Sequence, residues 1–145
     1  MTKPCLFCQI AKGDLPAHRL YEDDHILAFL DLHPIRAGHA LIIPKAHYVW
    51  FEDLPQDLAT RITTCAQALA RRMKAVYGVE RVSLFYTGIH VPHAHAHLVP
   101  MHHVHDVTSQ AYLQDGADGY SIPPQLPADR MEHVAQELRA AFGPD

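Results

Sequence analysis

The chain is 145 residues long, 48% apolar, and carries a net charge of −4 with histidine neutral. That is most simply one domain, residues 1–145, with enough apolar material for one core. The acidic balance and the lack of a long basic block argue against nucleic acid as the main partner, and no apolar run approaches the roughly 18 residues of a membrane span. Met1-Thr2-Lys3-Pro4-Cys5 leads to Lys12 and Asp14 without a signal-type apolar stretch, so the expectation is a cytoplasmic protein with no membrane association. Three cysteines, an odd number without secretory context, do not suggest a disulfide framework.

In chain order, residues 5–12 predict a short helix, with Leu6, Phe7 and Ile10 near helical spacing and Gly13 as its C-cap. Residues 19–22 and 26–32 predict two strands joined by a turn at Asp23-Asp24-His25. Residues 34–38 read as a loop and residues 39–43 as a third strand, ended by Pro44. Leu58, Ile62, Cys65, Leu69, Met73 and Val76 recur at steps of three or four, which predicts a long helix over 53–77. Asp53 is its expected cap, Pro55 suits its first turn and Gly78 ends it; Cys65 falls on the apolar stripe and reads as packing. Strands are expected over 81–87 and 94–99, an irregular segment over 106–127, and a last helix over 129–142 with Met131, Val134, Leu138 and Phe142 on one face. The order is an α+β pattern.

The most informative run is His93-Ala94-His95-Ala96-His97-Leu98-Val99. On a strand, alternate side chains share a face, so three imidazoles stand in a row roughly 7 Å apart, with Ala94, Ala96 and Leu98 on the core side. The chain has 13 histidines, and seven of them fall between positions 90 and 105. Chance clustering does not supply the strict alternation with apolar residues. Imidazole serves as nucleophile, proton donor or acceptor, or metal ligand near neutral pH. Metal binding by the row is a rival to catalysis, because two histidines at i and i+2 on a strand suit a metal.

The run matches the signature of the histidine triad (HIT) family of nucleotide hydrolases and transferases, which the chain resembles in three further blocks. These are Cys5-Leu-Phe-Cys-Gln-Ile10, Tyr21-Glu-Asp-Asp-His-Ile-Leu-Ala-Phe-Leu-Asp31, and Pro34-Ile-Arg-Ala-Gly-His39-Ala-Leu-Ile-Ile-Pro44-Lys45-Ala-His47. The resemblance covers a core of about residues 5–106 and leaves a tail and helix at 107–145. It implies an antiparallel sheet with one long helix and short N- and C-terminal helices. It also implies cleavage at the α-phosphate of a purine nucleotide conjugate through a covalent nucleotidyl-histidine. His95 becomes the nucleophile, His97 a partner of the phosphate oxygens, and His93 and His39 the remaining histidines of the site. Asp31 becomes the ribose carboxylate, able to accept from both hydroxyls of a diol. Phe7, Leu6, Ile10, Phe29 and Leu32 become the base-binding wall, each of which the sequence alone reads as core. Thr87 or Gly88 stands near the position of a phosphate-contacting Asn.

The same resemblance implies a structural zinc held by Cys5, Cys8, His47 and His93; two reduced thiols or a redox pair are the other readings of Cys5-x-x-Cys8. It implies a small-molecule nucleotide substrate and a homodimer. The chain departs from the pattern just before the triad. Thr87-Gly88-Ile89-His90-Val91-Pro92 is short and lacks the family's Gln and Ser. The alternative to an enzyme is therefore a non-catalytic nucleotide-binding or zinc-binding regulatory module. His90 is either a donor to the leaving group or an exposed loop residue, and residues 106–127 are a candidate contributor to leaving-group choice.

Overall fold

The computed structural model describes residues 4–88, 90–104, 106–107 and 124–143. Helix α1 (Leu6–Lys12) ends on Gly13, whose φ of 88° is the left-handed cap expected of a glycine there. Strands β1 (Arg19–Glu22), β2 (Ile26–Leu30) and β3 (Ala40–Pro44) follow, then a 3-10 turn (Phe51–Asp53) and helix α2 (Gln56–Tyr77). Strands β4 (Arg81–Phe85) and β5 (Ala96–Met101) come next, then helix α3 (Ala128–Arg139) with a closing 3-10 turn (Ala140–Phe142). The five strands form one sheet in the order β1-β2-β3-β5-β4, with every neighbouring pair antiparallel.

The sheet is covered on both faces over its middle. One face packs on α2 and α3: Ala28, Leu30, Ala40, Ile42, Ala96 and Leu98 share a core with Ile62, Leu69, Met73, Val134 and Leu138. The other face packs under α1: Leu27, Phe29, Leu41 and Ile43 share a second cluster with Phe7 and Ile10. Burial on both faces is why β2 and β3 are apolar throughout rather than alternating. Helix α3 buries Met131, Val134, Ala135 and Leu138 in the main core, so the last helix is part of the packed fold and not an appendage.

Several boundaries differ from the sequence expectation. Helix α2 starts at Gln56 and not at 53, and no side chain caps it. Leu54 precedes Pro55 and is extended, as the proline ring requires of its predecessor, so one helix cannot run through both. β4 ends at Phe85, short of Thr87, and β2 ends at Leu30, where the N–H of Asp31 bonds to the carbonyl of His39 at 2.9 Å. β5 starts at Ala96, so His93, Ala94 and His95 lie in the chain that leads into it. The N–H of Ala94 bonds there to the carbonyl of Tyr48, at 2.6 Å. The expected alternation survives this, because Ala94, Ala96 and Leu98 all reach the main core. Most of the segment 106–127 lies outside the described residues. No helix among the described residues is long and apolar enough to cross a membrane.

Candidate active site

Strand register sets the site. Phe29 pairs with Leu41, Leu41 with His97, and His97 with Phe85, so these four form one row across the sheet on the α1 side. Helix α1 covers the Phe29 and Leu41 end of the row. The His97 ring lies flat against Phe85, centroids 4.8 Å apart and 5° between planes. His95 is 4.8 Å from His97 by ring centroid, and Phe7 stands edge-on to His95 at 5.0 Å and to His93 at 6.0 Å. His39, His93 and His95 are buried, at 3%, 0% and 4% exposure.

The hydrogen-bond partners assign the imidazole protons. Nδ1 of His95 lies 2.7 Å from the carbonyl oxygen of His93. A carbonyl only accepts, so Nδ1 carries the proton and Nε2 of neutral His95 keeps its lone pair. The N–H of Ile35 donates to Nδ1 of His39 at 3.1 Å, which puts the His39 proton on Nε2. That Nε2–H faces Nδ1 of His97 at 3.0 Å. His97 must then carry its own proton on Nε2, a buried atom with no hydrogen-bond partner among the described residues. Burying such a donor unpaired costs about 1–3 kcal/mol, which an incoming oxygen acceptor would recover.

Burial lowers the pKa of His39, of His93 and of His95. Burial, with the nearby His39 and His95, lowers that of His97 to about 3. His97 is therefore a neutral donor at neutral pH and not a fixed cation. The same assignment disfavours a metal among Asp31, His39 and His97, whose ligand atoms lie within 4.8 Å of one another. Nε2 of His39 is the atom that would face the ion, and Ile35 has already placed a proton on it.

Asp31 stands just past the end of β2. Its Oδ1 accepts the N–H of His33 at 2.8 Å, and its Oδ2 lies 3.7 Å from Nε2 of His39. Among the expected wall residues, Phe7, Ile10 and Phe29 are buried in the cluster under α1, whereas Leu6 and Leu32 are about half exposed, at 47% and 48%. Thr87 is exposed and borders a cleft of about 230 Å³ that reaches His95 and includes Trp50, Tyr86, Gly88 and Ala94. His90 has a positive φ of 75°, an unusual backbone state for a non-glycine residue and here adjacent to the triad.

A second cluster lies behind the triad. Nδ1 of His93 is 3.3 Å from Sγ of Cys5, 3.5 Å from Sγ of Cys8 and 3.2 Å from Nδ1 of His47. Sγ of Cys8 is 3.3 Å from Nδ1 of His47. One lone pair cannot serve three neighbours as ordinary hydrogen bonds. These separations do suit the edges of a tetrahedron with metal–sulfur bonds of about 2.3 Å and metal–nitrogen bonds of about 2.0–2.1 Å. Nε2 of His93 donates to the carbonyl of Pro44 at 2.8 Å, leaving Nδ1 deprotonated and facing the cluster. Metal-binding histidines are commonly held in this way, the second ring nitrogen donating to a backbone carbonyl that fixes the tautomer and the ring's orientation. The residues present fit a four-coordinate Cys₂His₂ metal.

A backbone carbonyl is the expected acceptor for the second nitrogen of His95, and the His93 carbonyl takes that place; the N–H of Ile35 and the carbonyl of Pro44, which set the other tautomers, are not legible in the sequence. Backbone groups leave no residue-type signal. Phe85, the stacking partner of His97, was expected only as a strand residue.

The HIT domain matches residues 12–104. The chain belongs to the HIT family. It is 39% identical over 97 residues to the adenosine 5'-monophosphoramidase of Saccharomyces cerevisiae, a match covering 66% of this chain and 61% of that protein. It is 33% identical over 105 residues to an adenylylsulfatase of Arabidopsis thaliana, covering 69% of this chain and 53% of that protein. The chain thus spans less than two thirds of the length of these two relatives. A crystal structure of a zinc-bound histidine triad family protein from Mycobacterium smegmatis superposes with a TM-score of 0.72 at 30% identity, covering 95% of this chain and 92% of that one. The five-stranded antiparallel sheet, with the three α-helices found among the described residues, is the α+β fold of the HIT family.

Proposed function

We propose that the chain is a nucleotide hydrolase or nucleotidyl transferase acting at the α-phosphate of a purine nucleotide conjugate. The observation that carries this reading is the 2.7 Å contact of His95 Nδ1 with the His93 carbonyl, which leaves Nε2 free on a neutral ring. Two relatives whose names specify adenosine 5'-monophosphoramidase and adenylylsulfatase activity support the substrate class.

In this reading Nε2 of His95 attacks phosphorus. A nitrogen–phosphorus bond forms, and the bond to the leaving group breaks with its electron pair. Water then attacks phosphorus, the nitrogen–phosphorus bond breaks, and the nucleotide and free His95 are regenerated; a second acceptor in place of water gives transfer. Splitting one displacement into two is the gain of covalent catalysis. His97 donates its Nε2–H to a phosphate oxygen, and His39 holds His97 in the required tautomer. Asp31 uses its Oδ2 edge to read the ribose diol. Phe7, Ile10 and Phe29, with Leu6 and Leu32 at the open margin, form the apolar side of the nucleoside site. Thr87 lies on the leaving-group side.

Zinc held by Cys5, Cys8, His47 and His93 would be structural. Four protein ligands leave no open position, and the ion would tie α1 to the sheet. We further propose one HIT domain acting as a homodimer, with no nucleic-acid or membrane partner, in the cytoplasm. β4 is a sheet edge, and Leu84 on it is 45% exposed, a surface that pairing with a second copy would cover.

A second reading, a non-catalytic nucleotide-binding or zinc-binding regulatory module, is favoured by one observation: residues 87–92 lack Gln and Ser. Screening adenosine and guanosine conjugates against the wild type and His95→Ala separates the two. Turnover lost in the variant supports the enzyme. Binding without turnover in the wild type supports the module.

A further inference from the structure

The proton assignment at the triad depends on one backbone group, the N–H of Ile35, and that group sits in a loop rather than in the sheet. The loop is fastened twice. Arg36 places Nε 2.9 Å from Oδ2 and Nη2 2.8 Å from Oδ1 of Asp106, a two-pronged ion pair between residues 70 apart in sequence. Asp106 is 7% exposed, and its Oδ2 also accepts the N–H groups of His102 at 2.8 Å and His103 at 3.0 Å, just beyond β5. On its other side the loop closes a turn from the His39 N–H to the Arg36 carbonyl at 2.9 Å, with Gly38 at a φ of 97°. A Cβ at Gly38 would come within 2.8 Å of the Tyr77 ring, so helix α2 backs the turn closely. Nothing in the chemistry at phosphorus needs Arg36 or Asp106 themselves.

We infer that the Arg36–Asp106 ion pair is a positioning pair that fixes the tautomers of His39 and His97. The sequence of contacts is continuous. Asp106 is anchored at the end of β5, the strand that carries His97. It holds Arg36, and Arg36 holds the turn in which Ile35 donates to His39 Nδ1. His39 is thereby obliged to donate from Nε2 to His97, and His97 to present its own proton on Nε2. Without the pair the turn keeps its backbone closure and its continuation into β3, which pairs with β5, but loses the side-chain brace that Arg36 makes to the end of β5. An Ile35 N–H that no longer faces Nδ1 lets His39 reverse, and the proton of His97 then shifts to Nδ1. The catalytic consequence rests on the proposed role of His97 toward phosphate; the tautomer assignment does not.

Arg36→Met tests it, since Met keeps much of the aliphatic stem and removes both prongs. Imidazole nitrogen chemical shifts, read by long-range proton–nitrogen NMR on folded, ligand-free protein, report each tautomer directly. The expectation is Nε2–H for His39 and His97 in the wild type, and loss or mixing of that state in Arg36→Met. Arg36→Lys, which keeps one prong and the charge, should restore most of it. If kcat on a nucleotide conjugate is followed as well, it should fall by about ten- to a hundredfold in Arg36→Met with little change in KM. Wild-type tautomers in a folded Arg36→Met overturn the inference, even if activity falls, because the pair would then act as a general brace. A wild type without turnover on any conjugate counts against the proposed function and leaves the NMR result to decide the positioning role.

Discussion

His93 joins the two centres of this molecule: its carbonyl oxygen holds Nδ1 of His95 at 2.7 Å, while its own Nδ1 stands between Cys5, Cys8 and His47. One residue thus orients the proposed nucleophile through its backbone and serves the proposed metal through its side chain. The His93 ring is fixed in turn by the carbonyl of Pro44 at the end of β3.

Purified protein should carry about one zinc per chain, because the four ligands complete a tetrahedron. Chelation, or Cys8→Ala, should lower the melting temperature, since a structural metal contributes folding free energy. Turnover should fall in parallel, as the His93 carbonyl loses its anchor. Metal-free protein with unchanged melting temperature and activity would favour two plain reduced thiols.

Asp31→Ala should weaken ribonucleotide binding much more than binding of the 2′-deoxy analogue. A hydrogen bond from a hydroxyl to a carboxylate is worth about 1.5–3 kcal/mol, on the order of ten- to a hundredfold in affinity. Calorimetric titration of both ligands into both proteins measures the difference. Equal weakening of the two would take Asp31 out of the ribose site.

Stability should rise with pH across a window set by His97. In the unfolded chain this imidazole takes up a proton near 6.5, whereas in the folded protein burial keeps it neutral down to about 3. Between those values the unfolded state binds more protons, so the contribution is intact above 6.5 and is lost progressively as pH falls toward 3. His97→Gln should therefore show a shallower decline in urea midpoint between pH 7 and pH 4.5 than the wild type. Equal slopes would mean that His97 protonates freely in the fold.

The chain should run as a dimer of about twice 16.3 kDa in light scattering at micromolar concentration. Leu84→Lys on the β4 edge should drive it toward monomer, since a charge on an edge strand opposes further pairing. A fully active wild-type monomer contradicts the proposed pairing.

The long helix and both buried strands were legible because their apolar spacing matches a physical period: Leu58, Ile62, Cys65, Leu69 and Met73 do form the buried stripe of α2. The triad was legible for the same reason, although its first two histidines lie outside the strand. The start of α2 was misplaced because Pro55 excludes a helical Leu54, a local constraint that the expected Asp53 cap ignored. What the sequence could not display is which ring nitrogen of each histidine carries a proton. That depends on Ile35, His93 and Pro44 backbone atoms brought in by the fold, and on the Arg36–Asp106 pair, whose partners lie 70 residues apart.

The proposed function turns on covalent nucleotidylation of His95. Rapid quenching of the wild type with an adenosine phosphoramidate or phosphosulfate under alkaline conditions, followed by intact-mass and fragment analysis, tests it most directly. The wild type should show a transient adduct of one nucleotidyl group on His95, absent from folded His95→Ala, whose turnover drops by about a thousandfold or more. Turnover in His95→Ala within about tenfold of the wild type, or an adduct on another residue, contradicts it.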